Sequence, residues 1–428
     1  MTSKFSALQW QRHIYVNGFA GRTPIVPARW QELYEKGKAA MSQEAFAYIA
    51  GGAGLEKTME ANRRGFARWH ILPRMLRNVE HRSTSVTIFG KTLPSPFLLS
   101  PIGVLEMVHP EADLAVAQAA ASMGVPFIFS NQASVPMEQT AAVMGNSPRW
   151  FQLYWSKSDE LVASLVQRAE KSGCQAIVVT LDTTMLGWRP RDLNLGYLPF
   201  MEGKGIAQYT SDPVFMRLAQ EQMRQPQPLE TKPKPTLKAM AGLWKMAKTF
   251  PGNPIVNFFS PLPRAAVRLF VNIYSRPSLT WDNLGFLRQI TSLPIVLKGI
   301  LHPEDARRAI DEGVDAIMVS NHGGRQVDGA IGAIDALPEI VKAVEGKIPV
   351  LMDSGIRSGA DAFKAIALGA TAVGIGRPYA FALAIGGKEG VEELLRHFLA
   401  DFELTMALAG CCSVEEIRSA GLKRVVEC

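Results

Sequence analysis

The sequence predicts an α/β fold, a TIM barrel with an N-terminal helical extension and a long insertion after the fourth strand. Eight short apolar runs recur along the chain, each followed by a helical stretch: residues 96–101, 126–131, 149–154, 176–182, 294–299, 316–321, 349–354 and 372–377. Runs that are apolar without alternation are typical of parallel strands covered on both faces. Eight such strand and helix pairs are the repeat of a TIM barrel. A doubly wound sheet is the alternative, but no Gly-x-Gly-x-x-Gly follows the first strand.

Two parts of the chain do not follow the barrel repeat. Residues 1–95 contain helical stretches around 29–50 and 55–69 and a hairpin near 86–93, and we expect an N-terminal extension that forms a lid under or beside the barrel. We therefore divide the chain into this extension and a barrel domain at 96–428. Within the barrel domain, residues 190–280 are expected to form a long basic loop insertion that is functional and either partly helical or disordered.

The insertion holds the whole net charge of the protein. The chain has 428 residues, 47% of them hydrophobic, and a net charge of +7. Residues 191–280 contain twelve basic and five acidic residues, and this excess equals the total. A charge confined to one segment argues against a nucleic-acid partner. The segment also contains the proline-rich stretch QPQPLETKPKPT and the aromatic residues Trp244, Phe250, Phe258, Phe259 and Phe270. We expect it to contact an anionic membrane surface or a neighbouring subunit; the alternative is a disordered basic loop.

The cysteines and the first residues bear on location and metal content. The start, MTSKFSALQW, lacks the apolar core of a signal peptide. The four cysteines form no Cys-x-x-Cys pair and have no histidine at metal spacing. We therefore expect a cytoplasmic protein without a metal site.

The string SNHGGRQVDG at 320–329 is the strongest chemical signal. It follows a buried strand and presents His322 and Arg325 three residues apart, with two glycines that permit a tight turn. A base beside a cation is what proton abstraction from a small anionic acid needs. The alternative is an ordinary turn in which both side chains satisfy carbonyls and carboxylates. Polar residues end the other strands as well, at the catalytic face of such barrels: Gln152, Tyr154, Thr180, Asp182, Lys298, Asp353 and Arg377.

Two glycine-rich turns predict a phosphate site. Asp-Ser-Gly-Ile-Arg at 353–357 closes the seventh strand, and Gly-Ile-Gly-Arg at 374–377 closes the eighth. Loops after these strands commonly bind phosphate in TIM barrels through backbone N–H groups and basic side chains. A pair of turns with surface arginines is the alternative. The sequence therefore favours a mononucleotide cofactor.

With these strand ends and turns, the chain resembles the FMN-dependent α-hydroxy acid oxidoreductases. SNHGGRQVDG, LMDSGIRSGADAFKAIALGA and VGIGRPYAF carry the resemblance, which extends from about residue 46 to residue 412 apart from the insertion. FAYIAGGAG, PIGVLEM, FQLYWSKS and TLDTTMLGWRPRDL are most similar to the lactate 2-monooxygenase branch. The resemblance implies FMN as the cofactor, a small 2-hydroxy acid and O2 as substrates, and a homo-oligomer, either a tetramer or an octamer.

The resemblance also implies roles for individual residues. His322 corresponds to the active-site base and Asp182 to the carboxylate paired with it. Arg189 and Arg325 correspond to the clamp on the substrate carboxylate, and Tyr48 and Tyr154 to the phenols that bind the substrate. The implied FMN-binding residues are Pro101, Gly103, Ser130, Gln152, Thr180, Lys298, Ser320, Asp353, Gly355, Arg357, Gly376 and Arg377.

Three positions depart from the family pattern. Gln132 stands where many members have tryptophan, Trp188 replaces an arginine, and Gly103 stands where oxidases mostly have alanine. A methyl group at residue 103 is expected to point near the reactive flavin nitrogen, so glycine there is the monooxygenase-like choice.

The expected reaction is oxidation of an L-2-hydroxy acid, L-lactate first, with decarboxylation to acetate, CO2 and water. An oxidase releasing the keto acid and H2O2, and a quinone-linked dehydrogenase, are alternatives within the family. A Schiff-base aldolase using Lys298 and a non-catalytic flavin-binding protein are alternatives outside that chemistry.

Overall fold

The computed structural model describes residues 6–224 and 236–425. The N-terminal extension consists of four helices, a strand and a hairpin. Its elements are α1 (Ala7–Phe19), α2 (Trp30–Ala40), α3 (Gln43–Ala50), α4 (Lys57–Ala67), β1 (Trp69–Leu72), β2 (Val86–Ile88) and β3 (Lys91–Leu93). The predicted hairpin is present as the antiparallel pair β2 and β3.

The extension differs from the prediction in two helices. The single helical stretch expected over 29–50 is divided, because Met41 is extended and the Ser42 hydroxyl accepts a hydrogen bond from the Ala45 N–H to start α3. Helix α1 was not predicted. Leu8, Tyr15 and Phe19 are exposed, so the helix lacks the apolar stripe facing a core that marks an amphipathic helix.

Eight parallel strands close into a barrel in chain order, and the last strand pairs with the first. The TIM barrel is therefore confirmed, and each predicted apolar run contributes one strand. The strands are β4 (Phe97–Leu99), β5 (Phe127–Phe129), β6 (Arg149–Leu153), β7 (Ile177–Thr180), β8 (Ile295–Ile300), β9 (Ala316–Val319), β10 (Val350–Met352) and β11 (Ala372–Ile375). Every strand is buried over almost its whole length, as expected for a sheet covered by helices.

Helices cover the outside of the barrel. After the first three strands come α5 (Ala112–Met123), α6 (Met137–Met144) and α7 (Asp159–Lys171). After β7 the chain forms α8 (Pro190–Leu195), α9 (Ala207–Thr210), α10 (Pro213–Arg224), α11 (Leu237–Thr249), α12 (Pro254–Phe259), α13 (Leu262–Ile273) and α14 (Leu284–Ile290). The remaining elements are α15 (Pro303–Asp311), α16 (Ala333–Val344), α17 (Gly359–Ala367), α18 (Arg377–Leu408), α19 (Val414–Arg418) and β12 (Gly421–Arg424). Helix α18 is interrupted at Gly386 and Gly387, and β12 pairs with β1.

The barrel is filled by side chains and is closed at its N-terminal end by the hairpin. Inward residues such as Leu98, Val178 and Met318 form one apolar cluster with Val86 and Ile88 of the hairpin. Part of the extension therefore lies under the barrel, which leaves the carboxyl ends of the strands for a site.

The insertion is mostly helical, so "loop" is the wrong description for its described residues. An aromatic cluster holds it together, in which Phe270 contacts Phe200, Tyr209 and Tyr274 with ring centroids 4.8–5.1 Å apart. The proline-rich stretch lies outside the described residues, except for Thr236. Within the part of the chain that is described, no helix is long and apolar enough to cross a membrane.

Candidate active site

A cleft opens at the carboxyl ends of the barrel strands, where the predicted polar residues converge. It contains about 940 Å³ of empty space, including the part open to solvent. Most predicted site residues line it: Tyr48, Pro101, Gly103, Gln152, Tyr154, Arg189, Lys298, His322, Arg325, Asp353, Gly355, Arg357, Gly376 and Arg377. Ser130, Thr180, Asp182 and Ser320 each lie one hydrogen bond behind a lining residue.

The turn after β9 holds His322 in an unusual conformation. His322 has a φ of +56°, and Gly323 follows with +65°. A Cβ on Gly323 would lie 2.6 Å from Arg377 Nη1, so glycine is required there by close approach as well as by conformation. A non-glycine residue in the left-handed region is typical of functional sites, where surrounding contacts hold the backbone.

His322 and Asp182 form a buried pair. His322 Nδ1 lies 2.8 Å from Asp182 Oδ1, which also accepts a hydrogen bond of 3.0 Å from the Thr183 hydroxyl. Because an ionised carboxylate can only accept, Nδ1 carries the proton and Nε2 is the atom that can act as a base.

The charges around this pair favour a neutral imidazole and an ionised carboxyl. Burial, together with the charges of Lys298 and Arg189, lowers the pKa of His322 despite the opposing Asp182 carboxylate, so the imidazole is neutral near pH 7. Burial alone would raise the pKa of Asp182, but His322 and Lys298 together hold it below its usual value. A neutral base beside a fixed negative charge can accept a proton and be stabilised as the cation.

Two arginines lie beside His322 without a carboxylate partner among the described residues. Arg325 donates to the backbone carbonyls of Tyr48 and Gly51, and its guanidinium lies 4.9 Å from the centroid of the Tyr48 ring. Arg189 donates to the Arg325 carbonyl at 3.3 Å and to Gln326 Oε1 at 3.0 Å. Burial and the neighbouring Arg189 charge lower the pKa of Arg325 to about 10. Two cations so close together, with Arg189 buried and Arg325 partly buried, fit a site for a small carboxylate.

Two further arginines, Arg357 and Arg377, line the same cleft, and Arg377 donates to the Gly51 carbonyl that also accepts from Arg325. Arg377 donates to the carbonyls of Ile49, Gly51 and Gly323 at 2.7–2.9 Å, and burial lowers its pKa well below the usual range. Burial, followed by the charge of Arg63, lowers the pKa of Arg357 to about 9.

An anion would satisfy a free donor in this second pair of arginines. The buried Arg357 Nε has no hydrogen-bond partner in the described structure, and Gly376 precedes the N-terminus of the long helix α18. A buried cation with an unsatisfied donor beside a helix N-terminus fits a phosphate group.

The comparisons with known proteins decide the family. A family model described as FMN-dependent dehydrogenase matches residues 37–424. The chain belongs to this family. It is an FMN-dependent enzyme of the α-hydroxy acid oxidoreductase class, and the predicted resemblance and cofactor are confirmed.

Individual relatives cover most of the chain. An L-lactate oxidase from Lysinibacillus sphaericus is 41% identical over 88% of this chain and 88% of its own length. An FMN-dependent alpha-hydroxy acid dehydrogenase from Penicillium citrinum is 40% identical over 97% and 96%. A solved structure of mandelate oxidase with (S)-4-hydroxymandelic acid has a TM-score of 0.76 and 37% identity, covering 94% of this chain and all of that one.

Other polar residues form two hydrogen-bond networks at the carboxyl ends of the barrel strands. Lys298 Nζ lies 2.9 Å from Ser320 Oγ and 3.3 Å from Asp353 Oδ2, at the ends of three adjacent strands. On the next strands, Gln152 accepts a hydrogen bond from Ser130 and donates to Thr180 at 3.0 Å. These networks hold a buried cation and polar groups at the floor of the FMN cleft.

The structure adds a packing constraint at Gly103. Gly103 lines the cleft, but a Cβ at this residue would lie 2.9 Å from Gln132 Cβ and 3.0 Å from the Gln132 carbonyl oxygen. A methyl group would therefore collide with the residue after β5, and alanine would require that segment to shift.

The sequence missed the part of the cleft wall contributed by the insertion. Phe200 and Tyr274 line the cleft, and Leu186 of the segment leading into α8 lies beside them. Phe270 was singled out in the sequence, and it is the residue that packs both rings into place. The aromatic content of the insertion was therefore a usable signal, but it did not identify which rings reach the cleft.

Two contacts explain why the extension is part of this site. The Asp328 carboxylate accepts hydrogen bonds from the backbone N–H groups of Leu55 and Lys57, each at 2.6 Å, at the start of α4. Asn62 of α4 and Asn321 exchange two amide hydrogen bonds of 2.7 and 2.9 Å. Helix α4 thus fixes the turn that carries His322.

Proposed function

We propose that this enzyme oxidises a small L-2-hydroxy acid at the cleft, with L-lactate as the preferred substrate. The observation that carries the proposal is the arrangement of a neutral His322 beside two arginines that lack carboxylate partners. A base within a site for a carboxylate is what a 2-hydroxy acid requires, since its acidic group must be held while its hydroxyl or α-carbon proton is removed.

The roles follow from the contacts. Arg189 and Arg325 bind the substrate carboxylate, with Tyr48 beside Arg325. Burial and the Asp182 charge raise the pKa of Tyr154, so its phenol stays protonated and donates to the substrate. His322 Nε2 accepts the substrate proton, and Asp182 stabilises the imidazolium through the 2.8 Å contact.

FMN, when bound, would supply a two-electron acceptor for oxidation of the substrate at its α-carbon. Within the chain, we assign Arg357, Arg377, Gly355 and Gly376 to its phosphate end. Lys298 is placed to balance negative charge, since its ammonium is buried at the end of β8. The remaining predicted contacts, which line or support the middle of the cleft, are Pro101, Gly103, Ser130, Gln152, Thr180, Ser320 and Asp353.

The proposed products are acetate, CO2 and water. Lactate and O2 first give pyruvate and H2O2. If pyruvate remains bound in the cleft, it is oxidised by H2O2, which is reduced to water. The bond between C1 and C2 of pyruvate breaks, C1 leaves as CO2 and C2 becomes the carboxyl carbon of acetate. The wall formed by Leu186, Phe200 and Tyr274 supports retention of a small keto acid. Release of pyruvate and H2O2 is the second candidate, favoured by the similarity to the Lysinibacillus L-lactate oxidase.

An exposed face of the insertion supports the proposed membrane contact and, with it, a quinone-linked dehydrogenase. Leu237 of α11 and Ile255, Val256 and Phe259 of α12 are 62–91% exposed, and Lys238 follows Leu237 in the chain. Apolar side chains with nearby lysines fit an anionic bilayer surface. Co-sedimentation with anionic but not neutral vesicles is the expected result, and light scattering of the free protein tests the proposed tetramer or octamer.

Product analysis under air tests the proposed reaction. Stoichiometric acetate and CO2 from L-lactate, with little H2O2, is the expected result. Stoichiometric pyruvate and H2O2 would make the enzyme an oxidase. Slow turnover with O2 but fast turnover with a quinone acceptor would make it a dehydrogenase.

A further inference from the structure

The reaction cleft is separated from two other cavities by a thin wall. An outer cavity, with about 2130 Å³ of empty space including its open part, lies between the N-terminal extension and the insertion. A smaller side cavity of about 650 Å³ lies on the other side of the segment before α8. Among the residues that line these three spaces, Leu186 is common to all.

Of the wall residues Leu186, Phe200 and Tyr274, Leu186 borders the largest number of cavities. Phe200 and Tyr274 line the cleft and the side cavity but not the outer cavity. Both rings are buried in the aromatic cluster, with exposed fractions of 3% and 8%, whereas Leu186 is 44% exposed. The Leu186 side chain therefore divides open spaces, while the two rings are the edge of a packed core.

The backbone on both sides of Leu186 is fixed by one amide. Gln326 Nε2 donates to the Met185 carbonyl at 2.9 Å, and Gln326 Oε1 accepts from the Gly187 N–H at 3.3 Å. A Cβ on Gly187 would lie 2.5 Å from the Arg325 carbonyl oxygen, so this segment lies directly against the turn that carries Arg325. Two hydrogen bonds and this close approach hold Leu186 in a set position.

We propose that Leu186 determines the fate of the keto acid by closing the cleft toward both adjoining cavities. With leucine in place, pyruvate stays beside newly formed H2O2 and is decarboxylated. Without its side chain, pyruvate leaves through either cavity before the reaction. This inference rests on the proposed function and adds the residue on which product retention depends.

The test compares Leu186→Ala with two controls. Leu186→Met conserves volume and should keep the wild-type behaviour. Leu193 lines the outer cavity but neither the cleft nor the side cavity, so Leu193→Ala should also behave as wild type. FMN content and thermal unfolding show whether each variant is folded. The two readouts are the ratio of acetate to pyruvate formed from L-lactate under air, and the dissociation rate of added pyruvate from oxidised holoenzyme, followed by stopped-flow flavin absorbance.

For Leu186→Ala we expect about tenfold faster pyruvate dissociation, equivalent to a barrier lower by about 1.4 kcal/mol, and a matching shift from acetate toward pyruvate and H2O2. The proposal would be overturned if pyruvate dissociated from Leu186→Ala at the wild-type rate, or if Leu193→Ala accelerated pyruvate dissociation equally. If the wild type itself releases stoichiometric pyruvate and H2O2, the decarboxylation proposal fails. The dissociation rates then still decide whether Leu186 controls escape.

Discussion

Replacing Asp182 with asparagine tests the role of the buried histidine pair. The Asp182 carboxylate lies 2.8 Å from His322 Nδ1, and its charge is needed when His322 takes up a proton. Once His322 is protonated the two groups form an ion pair, and removing one partner of a buried ion pair costs about 3–5 kcal/mol. Since each 1.4 kcal/mol is a factor of ten, anaerobic flavin reduction by L-lactate should slow by about 10²–10⁴-fold.

The pH dependence has a definite sign. The Asp182 charge raises the pKa of His322, and its loss leaves burial to lower that pKa further. The acid limb of the rate profile, below which His322 is protonated and cannot accept a proton, should therefore move to lower pH in Asp182→Asn. This shift separates an electrostatic role from a general loss of structure.

The assay is stopped-flow bleaching of the flavin without oxygen, with FMN content measured on the same sample. Asp212→Asn is the matched control, because Asp212 is also buried but pairs with Arg168 and Ser164 outside the cleft. It should lower the unfolding temperature without a comparable loss of rate. A reduction rate within about threefold of wild type in Asp182→Asn, well below the effect of a positioned base, would refute the reasoning.

Three further predictions concern other parts of the site. Arg325→Lys should raise the KM for L-lactate and the Kd for oxalate at least tenfold while FMN stays bound, because lysine cannot make planar, bidentate contacts; equal reaction of lactamide and lactate in the wild type would contradict the clamp. Arg377→Gln should weaken FMN binding to the apoprotein in equilibrium dialysis, because it removes a buried cation from the phosphate end; unchanged affinity would place the phosphate elsewhere. Asp328→Ala should lower the free energy of unfolding by about 1 kcal/mol, since it removes the acceptor at the start of α4. Burial raises the pKa of Asp328, but hydrogen bonds from several backbone N–H groups together outweigh it and hold the pKa below its usual value. This contribution is therefore present above the usual carboxyl pKa and is lost as the pH falls; a pH-independent difference in stability would argue against it.

The barrel and most of the site could be predicted because local sequence determines them. Each strand is a continuous apolar run, and the polar residue after it reaches the carboxyl end of the barrel regardless of how the helices pack. His322 and Arg325 are separated by two glycines, and one of these is required by the approach of Arg377. Such features are visible in a few consecutive residues.

Features that depend on packing between distant segments could not be predicted. Phe200 and Tyr274 reach the cleft because both contact Phe270, an arrangement with no local signature. The collision that constrains Gly103 is with Gln132 in the turn after β5. Helix α1 has no apolar stripe that would mark it in the sequence. Its start is held against α18, where the Ala7 N–H donates to the Glu403 carboxylate. These outcomes are set by tertiary structure.

Anaerobic addition of L-lactate to the yellow holoenzyme, for the wild type and for His322→Ala, tests the central claim most directly. The account predicts that L-lactate bleaches the wild type rapidly, and that His322→Ala retains FMN but is reduced more slowly by about 10²–10⁴-fold. Near-normal bleaching of His322→Ala, or a wild-type enzyme that binds FMN and is reduced by no L-2-hydroxy acid, would contradict it.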